Sequence, residues 1–259
     1  MLKNRYISIV FVILIASAVF LLYTLKIGQS GGSIHKPVEQ ATSISKEQTG
    51  EKKTLSMMEA VLLGYEEAKK YTEEEPLLIH LTSTDDTTSS QGKNEGADGK
   101  RIAWNVLFGS KKGNIHINLY INDGKVDAWM SEDDNNLLQK GQYAVSDIKI
   151  DSPEAIKKAI EVLDIQPEDP KVEDDWIKGY HFSISGFLTD PNSSERRYLL
   201  RIMGISPNSP NSENDSLRMT VFFDVKTGEM VNASEMTGYD KDDRTDWKEV
   251  ELEKMPSNK

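Results

Sequence analysis

Residues Asn114 to Ser131, NIHINLYINDGKVDAWMS, place Ile115, Ile117, Leu119 and Ile121 in strict alternation with polar or amphipathic neighbours and then turn at Asp123-Gly124. A period of two puts the four apolar side chains on one face of a strand. An Asp-Gly pair at that point is a strong signal for a two-residue hairpin. Farther along, LRMTVFFDVKTGEMVNAS, Leu217 to Ser234, repeats the device. Setting Gly124 on Gly228 brings Met219, Val221, Phe223 and Val225 opposite the first four residues, with the inward phase kept. A phase preserved at that distance marks a tandem repeat.

The residues ahead of each hairpin extend the match. TLSMMEAVLLGYEEAKKYTEEEP spaces Leu55, Met58, Val61, Leu62 and Tyr65 as one face of a helix that is expected to stop before Pro76. PLLIHLTS and RIAWNVLFGS follow as extended segments, separated by the polar loop DDTTSSQGKNEGADGK. After a short polar connector, DSPEAIKKAIEVLDI opens with an Asp or Ser cap, puts Pro153 in its first turn and aligns Ile156, Ile160 and Leu163. WIKGYHFSISGFL and RRYLLRIMGIS are again extended. The expected fold class is therefore α+β: an N-terminal transmembrane helix, then two units in each of which a helix covers one face of an antiparallel sheet. The corresponding boundaries are 1–26 for a cytoplasmic stub and anchor, 27–53 for a linker, 54–148 and 149–239 for the two repeats, and 240–259 for a charged tail.

The helix SPEAIKKAIEVLDI, the strands after it and the closing FDVKTGEMV resemble the PepSY pattern, whose last hairpin reads like VDxxTGEV. Asp224, Thr227, Gly228, Glu229 and Met230 carry the match in the second unit, and Asn122, Asp123 and Gly124 are what the first unit keeps at its turn. The resemblance implies cystatin-like units in a noncatalytic module, of the kind found in propeptides and in membrane-attached extracytoplasmic proteins of Gram-positive bacteria. Such modules restrain peptidases or accompany cell-envelope regulators. The family's hallmark is structural, so the resemblance carries over no catalytic residue.

At the N-terminus, Ile7 to Leu25 carry no charge, and at about 1.5 Å per residue they reach roughly across the hydrocarbon core of a bilayer. Lys3 and Arg5 precede the run, and after Lys26 the chain is uncharged until Lys36. This asymmetry predicts a single-pass protein at the cell membrane with a cytoplasmic N-terminus and an extracytoplasmic C-terminal part. A cleaved signal peptide competes through Ala16-Ser17-Ala18, but that match lies inside the apolar run rather than after it. Ile27 to Lys53 has the composition of a flexible tether.

Charge and composition exclude several functions. All 42 acidic residues follow the apolar run, so the outer part is more acidic than the chain's net −11 and lacks the basic stripes that bind nucleic acid. The chain contains no cysteine, which removes disulfides, thiolate metal sites and a thiol nucleophile. His35, His80, His116 and His181 show no metal-ligand spacing, and the last three sit on separate expected strands. The acidic stretches SEDDNN at Ser131 and YDKDDRTD at Tyr239 offer oxygen ligands, but the second departs from the EF-hand template at Arg244 and Thr245, and both read as solvated turns. Ser-x-x-Lys matches at Ser43 and Ser90 stand in low-complexity polar sequence. No phosphate loop, nucleophile elbow or dinucleotide fingerprint occurs. No catalytic, cofactor or metal residue is therefore assigned.

The tryptophans supply the candidate contact surface. Trp104 lies on an apolar strand face and is expected in the core, whereas Trp129, beside Asp127, is expected to project outward as a partner contact. The tail DWKEVELEK admits a short edge strand, a fraying helix or no fixed structure. The resulting expectation is a noncatalytic module, anchored outside the membrane, that binds and modulates an envelope protein such as a peptidase or sensor kinase. The alternative is a secreted or anchored envelope enzyme, or a peptidase-inhibitor-like propeptide.

Overall fold

A computed structural model describes residues 52–84, 96–110, 115–132, 141–168, 178–188, 196–209, 217–239 and 245–251. All of them belong to one compact unit, Gly50–Lys259. The strands are β1 Leu55–Ser56, β2 Leu77–Thr84, β3 Lys100–Arg101, β4 Ala103–Ser110, β5 Ile115–Asn122, β6 Lys125–Glu132, β7 His181–Leu188, β8 Arg196–Ile205, β9 Arg218–Asp224, β10 Met230–Tyr239 and β11 Thr245–Glu249. Helices α1, Met57–Ala68, and α2, Ser152–Leu163, precede β2 and β7 respectively.

Nine strands form one antiparallel sheet in the order β11-β10-β9-β8-β7-β2-β4-β5-β6, with β1 and β3 paired separately. The order runs outward in nearly the same way from the central pair, β2 and β7. Trp104, Val106, Phe108, Ile117, Leu119 and Ile121 on one side of that pair, and Phe182, Ile184, Leu200, Ile202, Val221 and Phe223 on the other, point to one face and join a single hydrophobic core. Trp104 is fully buried as expected, and its indole N–H donates to the Leu55 carbonyl at 3.2 Å.

Helix α1 begins with a capping box: the Ser56 hydroxyl accepts from Glu59 N–H, and the Glu59 carboxylate accepts from Ser56 N–H at 2.7 Å. Its buried residues are Met57, Ala60, Val61, Gly64 and Ala68, whereas Leu62 is exposed. The inward stripe is thus turned from the expected one, because Ala60, Gly64 and Ala68 let the backbone approach the sheet. A Cβ on Gly64 would lie 3.4 Å from the Phe108 ring and 3.5 Å from Leu119. The helix also ends at Ala68, well before Pro76, with Lys69 as its C-terminal cap. Helix α2 is capped by Asp151, carries Pro153 in its first turn and closes with Asp164 in the left-handed region at φ 52. Ala155, Ile156 and Ala159 are buried, with Ile160 and Leu163 packed at the core's margin.

The expected α+β fold class of two separate helix-plus-sheet units is corrected by this sheet, while the transmembrane helix expected ahead of them falls outside the described residues. The described chain is mostly β, and no boundary separates two units. Strands β2 and β7 pair antiparallel through Leu81↔Ile184 and Thr82↔Ser183. A unit ending at β2 would leave a row of backbone donors and acceptors open, and β7 closes it. The connector meant to separate the units is part of the same core: Val145, Ile148 and Ile150 are buried, and Tyr143 exchanges two 2.8 Å backbone hydrogen bonds with Leu78. Among the described residues no helix is long and apolar enough to cross a membrane. The apolar run Ile7–Leu25, the tether as far as Glu51, both Ser-x-x-Lys matches, His35 and Trp176 lie outside the described residues.

A second junction joins the halves at the helix N-termini. Met57 N–H donates to Ser152 Oγ at 2.8 Å and Met58 N–H to Asp151 Oδ1 at 2.9 Å, while Ser56 Oγ donates to Asp151 Oδ2 at 2.6 Å. The start of α2 therefore caps α1 as well as itself, and the Asp151 carboxylate sits at the positive ends of both helices. Ser152 Oγ in turn donates to the Gly99 carbonyl at 2.6 Å. Gly99 has φ 77, and a Cβ there would fall 2.3 Å from Pro153 N, so glycine is required on both grounds.

Candidate functional site

The sheet face opposite the helices is not covered by any described element. The register assigns to it His80, Thr82 and Leu107 in the centre, Ser183, Ser185 and Phe187 on β7, Arg197, Leu199, Arg201 and Met203 on β8, and Phe222 on β9. Asp127 and Trp129 on edge strand β6 and Trp247 on β11 share this face. Three exposed large apolar side chains are spread across it: Trp129, 52% exposed, at one edge, Trp247, 44%, at the other, and Phe187, 37%, on β7 between them. Phe187 meets Phe222 edge to face at 5.9 Å between centroids. Trp129 and the exposed Asp127 therefore both stand on the uncovered face at the sheet's edge. The tail's alternatives resolve to an edge strand, since Thr245–Glu249 pairs with β10.

At the centre of the face a polar cluster spans the β2–β7 pair. His80 Nδ1 lies 2.9 Å from Ser185 Oγ. His181 is held from both sides, with Nε2 at 3.0 Å from Thr82 Oγ1 and Nδ1 at 3.0 Å from Ser83 Oγ. The Thr82 hydroxyl donates to the Ser83 carbonyl at 3.2 Å, so it accepts from His181; Ser83 Oγ accepts from Phe182 N–H at 3.0 Å, so its own proton goes to Nδ1. This chain assigns the neutral Nε2–H tautomer. Burial first and the Arg201 charge second hold His80 at about 4 and His181 at about 3, so both imidazoles are neutral near pH 7. The two histidines were expected as separate strand residues, and it is the β2–β7 pairing that brings them together.

A Ser–His contact is the unit from which a nucleophile is activated, and Ser185 with His80 has the distance. Among the described residues, however, no carboxylate is seen to orient His80, and Ser83, the partner of His181, is buried and occupied by Phe182 N–H. No group of three or more His, Asp or Glu among the described residues is placed to hold a metal. The acidic stretches SEDDNN and YDKDDRTD lie largely outside the described residues.

The Asp224–Glu229 hairpin has a local role. Gly228 adopts φ 74, as its turn requires. Thr227 and Glu229 are exposed, but Asp224 is only 8% exposed. Its Oδ1 accepts from the N–H groups of Lys226 at 2.8 Å and Thr227 at 3.0 Å, and its Oδ2 from Arg197 Nε at 2.5 Å. Burial alone would raise this carboxyl, but the Arg197 and backbone hydrogen bonds outweigh burial and lower it. Asp224 thus sets the turn, and the motif is architectural.

No family model, no curated protein and no solved structure matches the chain, so the likeness to PepSY modules rests on the residues of the second hairpin and its helix.

Proposed function

We propose that the chain is a noncatalytic interaction module, held outside the cell membrane through Ile7–Leu25, that binds an envelope protein with the sheet face its helices leave uncovered. The observation that carries this reading is that Trp129, Phe187 and Trp247 all stand exposed on that face, the two tryptophans at its opposite edges and Phe187 on β7 between them. Aromatic side chains on a hydrogen-bonded sheet offer large contact areas with few rotatable bonds to freeze on binding. Asp127 beside Trp129 adds a rim charge suited to orienting a partner.

Site-specific photocrosslinking in intact membranes tests the proposal. A crosslinking residue at Trp129 or Phe187 gives one discrete adduct with an envelope protein, and the same residue at Leu62, exposed on the opposite side, does not. Adducts of equal yield from all three positions, or none from Trp129 and Phe187, contradict it.

A further inference from the structure

We propose that Arg201, with the hydroxyl groups around it, forms a binding site for a single carboxylate at the centre of the uncovered sheet face. This site does not depend on the identity of any protein partner. Arg201 stands on β8, and its Nε donates to Ser183 Oγ at 3.1 Å, which lays the guanidinium across β7 toward β2. No acceptor for its terminal nitrogens is found among the described residues. The side chain is partly buried, and its terminal nitrogens are not among the buried polar atoms that lack a partner, so they are open to an incoming anion.

Scarcity of acids does not account for this, since the chain has 42 Asp and Glu against 31 Lys and Arg. Arg197, four residues earlier on the same strand face, shows the ordinary outcome: it is paired with Asp224. That carboxylate is fully engaged by Arg197 and by the hairpin N–H groups, so it is closed to Arg201. The two free nitrogens of a guanidinium form a planar fork that matches a carboxylate bidentately. Ser183 accepts from Arg201 and keeps its own proton to donate, and Ser185 and Thr82 line the approach from β7 and β2.

The charge balance selects the ligand. His80 and His181 stand beside the guanidinium as neutral rings, so the positive charge at the fork is that of Arg201, with Arg101 and Arg218 acting on His181 more weakly. One negative charge neutralises it, whereas a phosphate dianion would leave excess negative charge in a strongly acidic chain. A carboxylate on an acidic side chain, a peptide C-terminus or a small acid has the required chemistry.

The test uses the full chain in detergent at pH 7.5 and constant ionic strength, with chloride replaced stepwise by acetate or by inorganic phosphate. Acetate raises Tm by roughly a few degrees and saturably, by binding the folded state only. Arg201→Gln removes the rise, and Lys226→Gln, an exposed substitution on the β9–β10 turn, retains it. A wild-type rise that is absent, that is equal in Arg201→Gln, or that is larger with phosphate overturns the proposal. Should Arg201→Gln fold poorly, the Nε–H resonance of Arg201 in the wild-type chain decides: it moves saturably with acetate if the site exists and stays fixed if it does not.

Discussion

At the residue scale, single polar side chains hold the places where backbone geometry is most demanding. Asp224 organises the β9–β10 turn through two N–H groups and fixes Arg197 beside it. Asp224→Ala is therefore expected to destabilise the fold by about 1–3 kcal/mol, because it removes a cap and strands Arg197, while Glu229→Ala, at an exposed position, stays within about 0.5 kcal/mol. Urea unfolding of the two variants checks the contrast. Glu235 holds the β8–β9 loop and the edge strand together by accepting from Ser206, from Asn208 at 2.9 Å and from Lys248 at 2.8 Å. Burial would raise that carboxyl, but these bonds dominate and hold it at about 2. Gly228 and the Asp-Gly turn were legible because each demands a positive φ that few residues supply. The part played by Asp224 was not, since a sequence shows an acidic residue in a turn but not which N–H groups it faces.

At the element scale, the alternation in β4, β5, β8 and β9 and the helical spacing of α1 and α2 identified the elements, because period reports directly on which face is buried. The exact inward stripe of α1 escaped, since Ala60, Gly64 and Ala68 carry no hydrophobic weight yet allow the closest packing. Gly64→Leu is expected to cost several kcal/mol by driving the helix from Phe108 and Leu119. Leu62→Gln, on the exposed face, is close to neutral. The N-terminal junction makes a sharper case. Asp151 accepts from Ser56, Met58 and Ser152, so Asp151→Ala removes caps from both helices and is expected to cost about 2–3 kcal/mol, above the loss of one cap. Thermal unfolding followed by circular dichroism reads this as a fall in Tm with little change of helix content below the transition.

At the scale of the whole molecule, two junctions turn a repeated element order into one sheet, and both depend on residues far apart in sequence. Local pattern placed His80 and His181 on separate strands but held no record that β2 and β7 are neighbours, so the central cluster was invisible to it. The cluster has a pH consequence. His80 and His181 are lowered in the folded state, so their contribution to stability is fully present above the ordinary histidine value of about 6.5 and is lost as pH falls toward about 4 and about 3. Unfolding free energy is expected to drop by roughly 4 kcal/mol between pH 7.5 and pH 5, and His181→Gln to remove about half of that drop. Because the chain contains no cysteine, the pairing of β2 with β7 can be read by one engineered disulfide. With Thr82→Cys and Ser183→Cys together, mild oxidation is predicted to give a monomeric, faster-migrating, reducible species that keeps the wild-type sheet signal. A folded double variant whose thiols stay free under the same oxidant would contradict the single continuous sheet.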